Sequence, residues 1–145
     1  MRVLFIGDIV GRKARNFAQK KIVELKSQLQ LDAVIVNVEN AAGGFGVTPS
    51  ICDDFFSAGA DVLTTGNHIW DKREIISYIA KSDRLLRPLN MIKGTPGLGM
   101  TIIEVNAGTI GVAKIKPIKI LFLNFKLLSN FLYFSQVLIF CYQTF

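Results

Sequence analysis

Histidine is scarce in this chain: of 145 residues one, His68, carries an imidazole. That leaves a single side chain suited to proton transfer near neutral pH. Cysteine is nearly as scarce. Cys52 and Cys141 lie far apart and match no metal or redox spacing, so they read as two free thiols in a reducing compartment, the cytoplasm. The N-terminus lacks a long apolar run: Val3-Leu4-Phe5-Ile6 is cut off by Gly7-Asp8. Such a run is too short for a secretory signal and fits a buried strand. Acidic residues are missing from position 114 onward. Residues 1–113 hold 13 Lys+Arg and all 11 Asp+Glu, a net +2, and Lys114, Lys116, Lys119 and Lys126 supply the other four charges of the total +6. The excess charge therefore belongs mostly to the end of the chain. No basic stripe with interleaved aromatics runs through the body, so there is no strong nucleic-acid signal.

What is present is an alternation of apolar runs and helical stretches. Arg2–Ile6 and Asp32–Val38 are continuous apolar runs of the kind covered on both faces in a parallel sheet. Between them, Arg12 to Leu31 places Phe17, Ile22, Leu25 and Leu29 near one helical face. Thr48-Pro49 opens a second helix, with Thr as N-cap and Pro in the first turn, and Gly59 stops it. Asp61–Thr64 is a third strand, and residues 72–80 a third helix. Strand, helix, strand, helix, strand, helix predicts parallel strands with right-handed crossovers, an α/β fold. Leu85-Leu86 is a short apolar step. Met100–Val105 and Thr109–Ala113, joined by Asn106-Ala107-Gly108, read as a β-hairpin.

Three loops follow the three strands, and each begins with oxygen donors: Asp8, then Glu39-Asn40, then Asn67 in Thr64-Thr65-Gly66-Asn67-His68. Loops at the carboxyl ends of strands are where open α/β sheets place their sites. Adjacent strand ends lie about 5 Å apart, so these side chains can converge. Oxygen donors suit Mg²⁺, Mn²⁺ or Fe, and a pair of such ions can generate a hydroxide and clamp a phosphate. Taken singly, each has a plainer reading: Asp8 as a helix cap, Glu39-Asn40 as loop punctuation, His68 as a structural histidine. Their joint occurrence in three corresponding loops favours the site. Asp71 reads as a cap of the third helix, Trp70 as core, and Gly97-x-Gly99 as a turn into a strand.

Composition changes after Ala113. Residues 115–145 contain no acid and no glycine, and hold six of the 11 phenylalanines. Neither period 2 nor period 3.6 is sustained there. Leu127–Phe145 is an uncharged run of 19 residues, long enough for a membrane helix, but Ser129, Asn130, Ser135, Gln136 and Gln143 make it a poor one. The chain thus divides at 1–113 and 114–145, the latter an apolar basic tail with membrane contact as one expectation.

The segments Phe5–Gly11, Asn37–Gly44 and Gly66–Asp71, with Arg87-Pro88 and Gly94–Gly99 after them, resemble the YmdB-like metallophosphoesterases. The resemblance covers about residues 1–113. It implies the N-terminal half of a calcineurin-like sheet sandwich, with parallel strands and crossover helices and then the hairpin. It also implies self-association, two divalent metal ions (Fe or Mn), and hydrolysis of phosphodiesters such as cyclic nucleotides. By motif, Asp8, Glu39, Asn40 and Asn67 would be metal ligands, and His68 the acid that protonates the leaving oxygen. The family's further histidine ligands have no counterpart here, and residues 114–145 are not family-like. The expectation is a frame lost near residue 114 and a truncated, inactive product, active only if another chain supplies the missing half. DNA downstream of codon 113 should then encode Gly-His and Gly-x-His-x-His in another frame. The alternative is a half-fold reused as a binding or membrane-attached protein.

Overall fold

The computed structural model describes residues 1–116, 131–134 and 137–142. Strands β1 (Val3–Ile6), β2 (Ala33–Asn37), β3 (Val62–Thr64) and β4 (Leu85–Leu86) form a parallel sheet in that order. Helices α1 (Gly11–Gln28), α2 (Pro49–Ser57) and α3 (Ile75–Ile79) are its crossovers. The predicted hairpin is present as β5 (Met100–Val105) and β6 (Gly108–Lys114), paired antiparallel. Two further strands, β7 (Phe131–Phe134) and β8 (Val137–Tyr142), complete a second sheet in the order β5-β6-β8-β7.

The continuous apolar runs are explained by cover on both faces. Leu4, Ile6, Val34, Val36, Leu63 and Leu85 turn toward the helices and meet Ala18, Ile22, Phe55, Ile75 and Ile79. Val3, Phe5, Ala33, Ile35, Val62 and Leu86 turn the other way and meet Ile110, Val112 and Ile139 of the second sheet. Successive side chains on a strand point to opposite faces, so a strand sandwiched between helices and a sheet has no polar position to spare. The architecture is the expected α/β half of a sheet sandwich.

Local signals account for most boundaries. Thr48 caps α2 as predicted, its hydroxyl accepting from the Ile51 N–H at 3.3 Å with Pro49 in the first turn. Helix α1 ends at Gln28, short of the predicted Leu31, because Gln30 takes a positive φ of 49°. The third helix is shorter than predicted. A 3₁₀ turn, Asn67–Asp71, precedes it, and α3 starts at Ile75 after Glu74. Asp71 therefore does not cap α3. Trp70 packs against the core as expected, and Gly99 leads directly into β5.

The lack of a clear period in the last thirty residues did not prevent strand formation. Strand β8 lies on β6 over six residue pairs, from Thr109↔Tyr142 to Lys114↔Val137. Backbone hydrogen bonding makes that ladder and requires no alternation of side-chain polarity. The membrane expectation for Leu127–Phe145 lies partly outside the described residues. Among the described residues, no helix is long and apolar enough to cross a membrane.

Candidate functional site at the carboxyl end of the parallel sheet

The loops after β1, β2 and β3 are tied to one another by backbone hydrogen bonds. Ile9 N–H donates to Asn37 O at 3.1 Å, Gly11 N–H to Asn40 O at 3.3 Å, and Val38 N–H to Thr64 O at 2.9 Å. Arg15 of α1 adds a bond to Ala41 O at 2.6 Å. The loops are thus one surface, and their side chains meet on it.

Asn40 donates from Nδ2 to Asp8 Oδ1 at 2.7 Å, joining the first loop to the second. This commits the amide nitrogen and leaves the amide oxygen for another partner. Asp8 makes no cap on α1, whose N-cap is Val10 with no side-chain bond. Glu39 joins the second loop to the third. Its Oε1 accepts from the His68 N–H at 3.4 Å, and its carboxylate lies where a Gly66 side chain would have to be. Only glycine permits that approach. Asn67 is exposed, and it stands in the chain between Gly66 and His68, the two residues that meet Glu39.

His68 is held on two sides. Its Nδ1 lies 2.7 Å from Asp71 Oδ2, and the Phe45 ring stands edge-on at 5.0 Å between centroids. A carboxylate at Nδ1 fixes the ring and leaves Nε2 to face a substrate. Asp71, read from the sequence as a helix cap, is instead the residue that orients His68. The loop carrying Phe45 is shaped by Gly43, Gly44 and Gly46, all at positive φ. At Gly46 a side chain would also press on the His68 carbonyl, 3.1 Å from the position of a β-carbon.

Asn37, Thr64, Thr65 and Lys114 are the buried polar residues among those described, and they stand at or just past the ends of β2, β3 and β6. Asn37 Oδ1 accepts from the Glu39 N–H at 3.1 Å, and Thr65 Oγ1 donates to Leu86 O at 2.8 Å. Lys114 is 2% exposed. It continues the inward-facing series Ile110, Val112, and its backbone is pinned past the end of β4, accepting from Leu89 N–H at 2.7 Å and donating to Gly99 O at 3.1 Å. Burial pushes its ammonium pKa down, and the Glu39 and Asp8 carboxylates pull it back up. Lys114, read from the sequence as part of the basic tail, is instead buried. Extending the Ile110–Val112 parity by one step would have found it.

The oxygen donors carried by these loops are two carboxylates and two amides. They suit one hard divalent cation. Among the described residues no three of His, Cys, Asp and Glu stand close enough to hold a metal ion.

The sequence profile described as "YmdB-like protein" matches residues 4–140. The chain is 40% identical over 116 residues to a Bacillus subtilis protein named 2',3'-cyclic-nucleotide 2'-phosphodiesterase, covering 80% of this chain and 44% of that one. A crystal structure of a hypothetical protein from Thermus thermophilus superimposes with a TM-score of 0.74 at 34% identity, over 79% of this chain and 44% of the other. A Mycoplasma pneumoniae structure described as a novel phosphatase gives a TM-score of 0.71 at 31% identity, over 78% and 42%. The chain spans less than half the length of these relatives. On the profile match and on the three motif loops that the fold brings together, this chain belongs to the YmdB-like family of phosphoesterases.

Proposed function

We propose that this chain carries one half of a metal-dependent site for hydrolysing phosphodiesters such as cyclic nucleotides, and that the chain alone does not turn over. The observation that carries the first part is the linkage of three successive strand loops through Asn40–Asp8 and His68–Glu39. The name of the Bacillus subtilis relative supplies the substrate class. Asp8, Glu39, Asn40 and Asn67 would hold the cation side of the site. A bound cation of the Mn or Fe type would polarise the phosphate and lower the pKa of a water. His68, oriented through Nδ1 by Asp71, would deliver its proton from Nε2 to the leaving oxygen.

The second part follows from ligand chemistry. With His68 the sole histidine and spent on proton transfer, the donors are all oxygens. Such sites bind divalent ions loosely unless rigidly caged, and one ion cannot clamp both the attacking and the leaving oxygen. Turnover then awaits a chain that brings further ligands. The two distant cysteines suit a cytoplasmic setting for this chemistry.

The test is hydrolysis of bis(p-nitrophenyl) phosphate by the purified chain with added Mn²⁺. No nitrophenolate release above the buffer rate is expected. Release that His68→Ala abolishes would overturn the inactivity and keep the site. Release indifferent to His68→Ala and Asp8→Ala would overturn both.

A further inference from the structure

We propose that Phe45 is the platform on which the base of a bound nucleotide stacks, and so the residue that favours nucleotides over other phosphodiesters at this site. The inference rests on the site reading above and deepens it. Phe45 is a large apolar side chain, yet it is 59% exposed. Its loop is closed on itself: Gly44 N–H donates to Asn40 O at 3.1 Å, and Ala42 N–H to Gly46 O at 2.9 Å. Gly46 then seats against the turn that carries His68. A β-carbon there would meet the His68 carbonyl at 3.1 Å, Lys72 Cγ at 3.1 Å and Asp71 Cβ at 3.4 Å. The Phe45 ring is thereby held in the open beside His68, 5.0 Å between centroids with the planes crossing at 61°. Trp70, also close in sequence to His68, is taken up by the core.

A singly exposed apolar side chain carries no message by itself. This one is fixed by a closed loop against the proposed proton donor, and an aromatic already held in place loses little entropy on contact. The chemistry of its partner follows from its neighbour. If His68 hands a proton to the leaving oxygen, the rest of the leaving group lies next to His68 and hence next to Phe45. In a nucleoside 2′,3′-cyclic phosphate that group is the sugar. Its base is attached to the sugar carbon adjoining the one that bears the 2′ oxygen. A flat ring would therefore come within reach of Phe45 whenever the phosphate sits over Asp8 and Asn40. Stacking on an aromatic side chain serves any base, because each has a π face. The site should thus select for the presence of a base and discriminate little among bases.

The test is an NMR titration of the full chain with 2′,3′-cyclic AMP and, separately, with dimethyl phosphate, both with added Mg²⁺. In the starting chain, saturation should pass from the protein to the base protons of 2′,3′-cyclic AMP. Phe45→Ala should weaken 2′,3′-cyclic AMP binding about fivefold or more, and Phe45→Trp should bind it at least as tightly as the starting chain. Neither change should alter binding of dimethyl phosphate, which has no base. Equal binding of 2′,3′-cyclic AMP by Phe45→Ala and the starting chain overturns the proposal, as does absence of binding to the starting chain. A Phe45→Ala loss that is as large for dimethyl phosphate overturns it too, because Phe45 would then act through His68 and not on the base. Asp8→Ala keeps the two readings apart. If Phe45→Ala weakens 2′,3′-cyclic AMP binding and Asp8→Ala does not, the base platform stands and the phosphate site fails. If Asp8→Ala weakens it and Phe45→Ala does not, the phosphate site stands and the platform fails.

Discussion

Replacing Gly66 by alanine puts a methyl group where the Glu39 carboxylate now lies. The backbone is not the obstacle, since φ at Gly66 is −140°, outside the left-handed region. The obstacle is the carboxylate, the far end of a flexible side chain, which must swing away. Moving it off its rotamer costs about 0.5–1.5 kcal/mol. Losing its acceptance from the His68 N–H costs toward the low end of about 0.5–1.5 kcal/mol, because that bond is long at 3.4 Å. Against this, alanine restricts the unfolded chain and returns about 0.4–1 kcal/mol. The net loss is about 1 kcal/mol, and its origin is one contact. A double-mutant cycle isolates it. Urea unfolding followed by circular dichroism would be measured for the starting chain, Gly66→Ala, Glu39→Ala and the pair. Once Glu39 is cut back to alanine, Gly66→Ala should be neutral or slightly stabilising, which gives a coupling of about 1–2 kcal/mol. An equal cost of Gly66→Ala in both backgrounds would show that the Glu39 carboxylate does not lie against Gly66, and the linkage between the second and third loops would fall with it.

Other consequences lie away from the loops. Asp61 accepts from the Val34 N–H at 2.7 Å and from Lys26 Nζ at 3.1 Å, stitching α1 to β2 and β3. Asp61→Ala leaves a strand N–H and a half-buried ammonium without that acceptor, and should cost about 1–3 kcal/mol in urea unfolding; a cost below about 0.5 kcal/mol would contradict the assigned bonds. Alkaline pH should destabilise the chain. Burial pushes the Cys52 thiol and the Tyr78 phenol up, and the bond from Tyr78 to Asp53, 2.6 Å, raises the phenol further. Their folded values are raised, so the folded chain keeps protons that the unfolded chain releases. Stability is whole below the unfolded values of about 8.5 and 10 and falls as pH climbs from there through the folded ones. Melting temperature should drop between pH 8 and pH 10.5, and Tyr78→Phe should shrink the drop; a drop unchanged in Tyr78→Phe would remove Tyr78 as a cause.

The order of elements and the position of the loops were legible because they rest on local rules. Apolar runs cut by Gly7 and by Glu39-Asn40, a Thr48-Pro49 helix start and a Gly59 stop each act within a few residues. That Asp8, Glu39, Asn40, Asn67 and His68 follow strand ends was legible for the same reason: a loop after a strand can be recognised without knowing what it faces. Which donors touch was decided by the tertiary structure. The Asn40–Asp8 bond and the Glu39–Gly66 approach join residues 32 and 27 positions apart. Asp71 looked like a cap because capping is local; the 3₁₀ turn swung it onto His68 instead. Lys114 was the furthest from reach. A lysine in a basic stretch reads as solvated surface, and only the pairing of β6 with its neighbours, and the stacking of that sheet on β1–β4, turns its side chain inward. Sequence periodicity fixes the face of a strand, but the partner that covers the face is a long-range fact.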